Sequence, residues 1–123
     1  PTDEWFVEAE LEFDPDAIAS METLKEMLER RKDTQPLGLP TCGSVFRNPP
    51  GDHAARLIDA CGLKSCRIGE AEVSEKHANF IVNRGDASAR DIENLIRHVQ
   101  QTVADQTGVE LIPEVKIVGE DTI

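Results

Sequence analysis

The sequence predicts an α+β domain, and three observations carry that reading. Residues 5–13 alternate apolar and acidic side chains, and Ala78–Asn83 is a short apolar run; both are strand patterns. Residues 14–32, and the stretch from Ser88 to near Gly108, instead repeat apolar side chains at helical spacing. Prolines and glycines separate these stretches at short intervals. The chain has 123 residues, 39% hydrophobic and 30% charged, which supports one globular core and leaves little for a second.

The elements follow in chain order. Val7, Ala9, Leu11 and Phe13 share one face of the first stretch, and Glu8, Glu10 and Glu12 share the other, as in a half-buried strand. The glutamates read as its solvated face, because no histidine or turn completes a metal-ligand set. Asp14 is placed to cap a helix with Pro15 in its first position. Ile18, Met21, Leu24 and Leu28 give that helix a buried stripe to about Lys32, and Arg30-Arg31-Lys32 suits the negative end of its dipole. Gln35 through Pro40 breaks the helix and marks a boundary. A short helix follows, capped by Asp52, apolar at Ala54, Ala55, Leu57, Ile58 and Cys61, and ended by Gly62. Residues 66–74 make one or two short strands around Gly69, and 78–83 a further strand closed by Arg84-Gly85-Asp86. Ser88-Ala89-Arg90-Asp91 has the form of a capping box with Asp for the usual Glu, opening a helix on Ile92, Leu95, Ile96, Val99 and Val103. Residues 109–118 give a last strand, in which Pro113 requires an edge position or a bulge.

Composition narrows the function classes. A formal net charge of -11 argues against nucleic acid and anionic membrane surfaces as main partners, yet leaves room for a small anion in a locally basic cleft. No apolar run is long enough to span a bilayer, and no signal peptide is expected from these residues. Cys42, Cys61 and Cys66 form neither a closed disulfide set nor a zinc spacing, as expected of reduced thiols in the cytosol. The chain opens at Pro1 without a Met and runs at once into a strand pattern, as expected of part of a longer protein.

The stretch Pro40–Pro50 concentrates the chemistry. Three prolines and Gly43 frame Ser44, Arg47 and Asn48, either as a rigid site for a polar or anionic ligand or as a punctuated connector. Ser44 lacks the second glycine of a nucleophile elbow, so proton donation competes with hydrolysis as its role. Arg47 and Asn48 together suit a phosphate or carboxylate. Glu114 follows Pro113 in an apolar stretch, either aimed into a cleft or facing outward. Lys76, His77 and Asn79 place an ammonium, an imidazole and an amide just before a strand, as ligand contacts or as a polar turn. No dinucleotide fingerprint is present.

Four series in order carry a resemblance: Pro40-Thr41-Cys42-Gly43-Ser44-Val45-Phe46-Arg47-Asn48-Pro49, Leu57-Ile58-Asp59-Ala60-Cys61-Gly62-Leu63-Lys64, Glu72-Val73-Ser74-Glu75-Lys76-His77-Ala78-Asn79-Phe80-Ile81-Val82-Asn83, and Pro113-Glu114-Val115-Lys116-Ile117-Val118-Gly119. In residues and spacing the chain resembles the C-terminal part of the UDP-N-acetylenolpyruvoylglucosamine reductase (MurB) family, in its subgroup without an extra substrate-closing loop. The resemblance implies a small two-layer α+β domain over residues 37–123, preceded in residues 1–36 by the last strand and helix of an FAD-binding domain. It implies a cytoplasmic oxidoreductase of peptidoglycan synthesis, hence of cell-wall biogenesis, cell shape and division. Such a flavoprotein uses NADPH, through FAD, to reduce UDP-N-acetylglucosamine enolpyruvate to UDP-N-acetylmuramate.

In that family's terms Ser44 stands where a serine protonates C2, and Glu114 where a glutamate lies near the enolpyruvyl carboxylate. Asn48 stands at a diphosphate contact and His77 at a substrate contact, with Arg47 and Lys76 as further substrate-binding candidates. A third catalytic group, an arginine, belongs to the FAD-binding region and has no counterpart here. The family's diphosphate lysine has no clear equivalent near Thr34-Gln35-Pro36-Leu37. Glu70 and Ser65 replace usual glycines. The resemblance further implies that residues 1–123 alone hold no FAD tightly and turn nothing over. The competing class is a non-catalytic module that grips a UDP-sugar or a protein; a hydrolase is the third.

Overall fold

Period-two alternation decides which side of the sheet is dry. Val73 lies opposite Ile81, and Ile68 opposite Ala71, so these four side chains share one face. The structure, a computed structural model, describes residues 5–17 and 20–119. Its elements are α1 (Met21–Thr34), β1 (Thr41–Ser44), α2 (Ala54–Ala60), β2 (Arg67–Ile68), β3 (Ala71–Val73), β4 (Phe80–Asn83) and α3 (Ala89–Thr107). The four strands form one antiparallel sheet in the order β1-β4-β3-β2. α3 lays Leu95, Ile96, Val99 and Val103 over the dry face, and α2 adds Leu57 and Ile58 to the same core. Each such side chain contributes about 1.5–3 kcal/mol on full burial, an upper bound set by an extended unfolded chain.

The sheet's other face carries a buried charge. Glu72, 3% exposed, lies opposite Arg67 and Val82. Its carboxylate accepts from Arg84, at 2.5 Å from Nη2 and 3.1 Å from Nε, and from Arg67 Nε. Arg84, with help from Arg67, holds the carboxyl below its ordinary range against the burial that pushes it up.

Local signals set the element ends. The capping box at α3 forms as expected: Ser88 Oγ accepts from Asp91 N at 3.1 Å, and Asp91 Oδ2 from Ser88 N at 2.9 Å. Gly108 closes α3 in the left-handed region. The β2–β3 hairpin turns on Gly69-Glu70, with φ +56° at Gly69 and no positive φ at Glu70, so the glycine habitual at position 70 is not required. A Cβ on Gly69 would lie 2.7 Å from Asp91 Cγ, inside the capping carboxylate. Ser65, the other replaced glycine, takes φ +62°.

Five expectations are corrected. Residues 5–13 form no strand: they have no neighbouring strand among the described residues, and Val7, Leu11 and Phe13 are exposed. Asp14 does not cap a helix. Its Oδ1 instead accepts from Asp16 N at 2.9 Å, a local turn that competes with a cap, and α1 begins after Ser20, whose Oγ accepts from Thr23 N at 3.0 Å. The stripe Met21, Leu24, Leu28 exists but is uncovered, and α1 buries none of its residues; Ile18 lies outside the described residues. Residues 109–118 make only a single bridge, Phe46 to Pro113, since proline has no N–H with which to extend a ladder. Asp52 precedes the α2 cap position, which is His53, and pairs with Arg56.

Two outcomes follow. Gly69→Ala is expected to lower stability by more than about 1 kcal/mol in denaturant titration, because it strains the turn and displaces Asp91; an unchanged midpoint contradicts the close approach. Glu72→Gln is expected to cost about 1–3 kcal/mol at pH 7. The depressed Glu72 carboxyl stabilises the fold above its unfolded value of 4.5 and loses that contribution as pH falls through its folded value, so wild type and variant converge in acid. A gap constant down to pH 2 contradicts the assignment.

Candidate functional site

A single extra residue aims the serine. Thr41 pairs with Val82 and Ser44 with Phe80, so β1 advances three residues where β4 advances two. The surplus is taken up around Gly43, at φ +78°, whose N–H donates to Thr41 Oγ1 at 3.1 Å. Ser44 therefore ends β1 beside a cavity of about 270 Å³, lined by Ser44, Phe46, Asn48, His53, Ala55, His77, Asn79 and Glu114.

Each remaining lining residue has its own support. Asn48 Oδ1 accepts from Ala54 N at 3.0 Å, serving the first turn of α2 and leaving the amide nitrogen for a ligand. The 74–79 turn is organised by Ser74 Oγ, which accepts from Lys76 N at 3.2 Å and His77 N at 3.3 Å. His77 Nδ1 accepts from Asn79 N at 3.3 Å, so the neutral ring carries its proton on Nε2. Its ring meets Phe80 edge-on at 4.8 Å. Burial lowers the His77 pKa, and repulsion from the Lys64 ammonium adds to it. Glu114 N donates to Val45 O at 2.7 Å, while Gln100 Nε2, from α3, holds Leu111 O at 2.7 Å. The segment carrying Glu114 is thus pinned to both the loop and the main helix.

Of the seven residues singled out from the sequence, Ser44, Asn48, His77, Asn79 and Glu114 line one cavity. Arg47 and Lys76 do not. Arg47 is exposed, its backbone N–H held by Ile112 O at 2.9 Å. Lys76 Nζ donates to Lys32 O at 3.1 Å, in the last turn of α1. Phe46 and His53 were not anticipated as lining residues. Phe46 reads in sequence as core, and it is; His53 carries no local motif. Among the described residues no group of three or more His, Cys, Asp or Glu side chains could hold a metal, and no helix is long and apolar enough to cross a membrane. The residues around the cavity do not fit a flavin: its volume is at the small end for a ligand site, and no glycine-rich phosphate turn borders it.

A helix-backed antiparallel sheet with a polar cavity at its edge strand makes this an α+β domain with one candidate ligand site. The chain belongs to the family described as UDP-N-acetylenolpyruvoylglucosamine reductase, C-terminal domain, which matches residues 35–118. A UDP-N-acetylenolpyruvoylglucosamine reductase from Alkalilimnicola ehrlichii is 60% identical over 121 residues, covering 98% of this chain and 41% of the relative. One from Methylococcus capsulatus is 62% identical over 121 residues, covering 98% and 40%. The crystal structure of UDP-N-acetylenolpyruvylglucosamine reductase (MurB) from Thermus caldophilus is similar with a TM-score of 0.64 at 42% identity, over 77% of this chain and 34% of that one. The chain spans about two fifths of the length of the curated relatives it matches.

The direction of the His77 shift predicts an imidazole that titrates below its ordinary 6.5, as the neutral Nε2–H tautomer at pH 7. The sign for stability follows: its contribution is present above 6.5 and is lost as pH falls through the folded value. Nitrogen-detected NMR of His77 checks both, and a midpoint above 6.5 contradicts the burial.

Proposed function

We propose that this chain is the substrate-binding part of a cytoplasmic, NADPH- and FAD-dependent reductase that converts UDP-N-acetylglucosamine enolpyruvate to UDP-N-acetylmuramate in peptidoglycan synthesis. The observation that carries the reading is the convergence of Ser44, Asn48, His77 and Glu114, from three separate stretches of sequence, on one cavity. The names of the relatives supply the substrate class. In this reading residues 37–123 are the substrate-binding domain. Residues 1–36 belong with a flavin-binding domain supplied by the longer protein, and the 123 residues alone are inactive.

The chemistry asked of the site is modest. A flavin held by the rest of the longer protein would supply a hydride to C3 of the enolpyruvyl double bond. The proton then needed at C2 would come from Ser44 Oγ–H, which solvent would reprotonate afterwards. An alkanol is a weak acid, so the donor must be held at the carbon, with polar groups arranged before charge develops. Asn48 offers an amide donor and His77 a neutral N–H donor. Glu114, which also borders the cavity, assists in orienting and polarising the three-carbon group. The diphosphate would lie near Asn48, with Arg47 and Lys76 outside the cavity as further candidates to meet it. A cavity of about 270 Å³ accommodates the reacting end of such a substrate and leaves the nucleotide outside.

Ser44→Ala in the full-length protein tests this reading. NADPH-driven flavin reduction is expected to be unchanged, and reoxidation by the enolpyruvyl substrate slower by roughly 10²–10⁴-fold. Reoxidation at the wild-type rate would sink the proton-donor role.

A further inference from the structure

β1 runs past the end of the strand it pairs with. Its register with β4 ends at Ser44 and Phe80, yet Val45 and Phe46 continue into the core, 1% and 2% exposed. Their peptide groups need partners that β4 does not extend far enough to supply. Asn79 supplies three bonds. Its backbone carbonyl accepts from Val45 N at 2.9 Å. Its Oδ1 accepts from Phe46 N at 3.0 Å, and its Nδ2 donates to Phe46 O at 2.8 Å. A carboxamide has the same donor and acceptor as a peptide unit, so the Asn79 side chain acts as one more residue of the ladder. It is 4% exposed and borders the cavity, with its oxygen and one of its N–H groups engaged on Phe46.

We propose that Asn79 is the positioning residue for Ser44: its side-chain amide fixes the Phe46 peptide groups, and so the direction in which the bulged strand delivers the serine. The inference rests on the reading of Ser44 as proton donor. The bulge leaves Ser44 free to swing about Gly43 unless its C-terminal side is clamped. Segment 112–114 clamps one edge, through Val45 O and Arg47 N. Asn79 clamps the other.

The decisive variant is Asn79→Asp. Protonated, Asp keeps one donor and one acceptor and mimics the amide; ionised, it has only acceptors and faces Phe46 O with negative charge. The other titratable groups bordering the cavity are His53, His77 and Glu114, all present in wild type as well, so ratios to wild type isolate position 79. The first readout is amide hydrogen exchange and NMR shifts in this 123-residue chain. At pH 7 the variant is expected to lose at least tenfold of the Phe46 protection and to shift the Ser44–Arg47 resonances, with both returning towards wild type near pH 5. The second readout uses the full-length reductase. Flavin reduction by NADPH is expected to stay unchanged, while reoxidation by substrate slows at least tenfold at pH 7 and recovers in acid relative to wild type.

Wild-type Phe46 protection and Ser44 shifts in Asn79→Asp at pH 7 would overturn the proposal and leave the serine's role standing. A Ser44→Ala protein with normal reoxidation would overturn the serine's role and leave the Phe46 measurement intact. If Asn79→Asp does not fold at pH 7, the wild-type chain decides. A coupling across the hydrogen bond between the Phe46 nitrogen and the Asn79 carboxamide carbon supports the clamp, and Phe46 exchange as fast as in an exposed loop overturns it.

Discussion

The cavity depends on two buried peptide groups at Phe46 finding partners outside any strand. Left unsatisfied, each would cost about 1–3 kcal/mol, a large fraction of the stability of a small domain. One side chain answers both, from a residue 33 positions away. The consequences spread outward. Because Phe46 is held, its ring fills the core and its neighbours Val45 and Arg47 are in place to receive Glu114 N and Ile112 O. Because Glu114 N is bound there, the carboxylate wall of the cavity has a fixed distance from the serine wall. Gln100 then ties that segment to α3, so the rigidity of the main helix reaches the site through Leu111.

Charge is handled differently on the two faces that matter. The chain is strongly acidic, yet among the described residues Glu114 is the only carboxylate bordering the cavity, alongside two amides, a hydroxyl and imidazoles. His77 is kept neutral by burial, so what the site offers a ligand is oriented dipoles rather than full charges. The face of the sheet away from α3 does the reverse. It buries the Glu72 carboxylate and surrounds it with the Arg67 and Arg84 guanidiniums. The buried carboxylate thus lies on β3, away from the edge strand that borders the cavity, where it does not compete for a ligand's contacts.

Elements with a self-contained signal were legible in the sequence. Ser88 and Asp91 close a capping box over three residues and Gly108 ends the same helix, so α3 could be read without knowing what it packs on. Phe80–Asn83 was similarly plain, as a central strand buried on both faces. The failures share a cause. Residues 5–13, α1 and 109–118 carry apolar patterns that require a second surface, and a pattern does not state whether that surface is present. For the site, Ser44 and Asn48 were visible because Pro40–Pro50 is an unusual run. Asn79 was seen as an amide near a strand, but its job is set by register, one residue beyond the pairing of Ser44 with Phe80. His53 enters the cavity only because α2 starts there.

Separating the aim of a side chain from the packing of the core has a physical advantage at a site of this kind. A regular central strand would bind Ser44 to the period-two alternation, facing either α3 or the opposite side of the sheet. The Gly43 bulge releases it from that choice at the cost of local freedom, and freedom at a proton donor is damaging, since an error of about 1 Å in placement costs on the order of a hundredfold in rate. The hydrogen bonds on Val45 and Phe46 remove that freedom again immediately after the bulge. A flexible residue followed by an over-determined one lets the chain set a direction that neither strand geometry nor core packing would provide. The same logic explains why the clamp is made by hydrogen bonds and not by apolar contacts. Apolar packing of Phe46 fixes its depth but tolerates rotation of the peptide plane, whereas two bonds to one planar amide fix the plane itself.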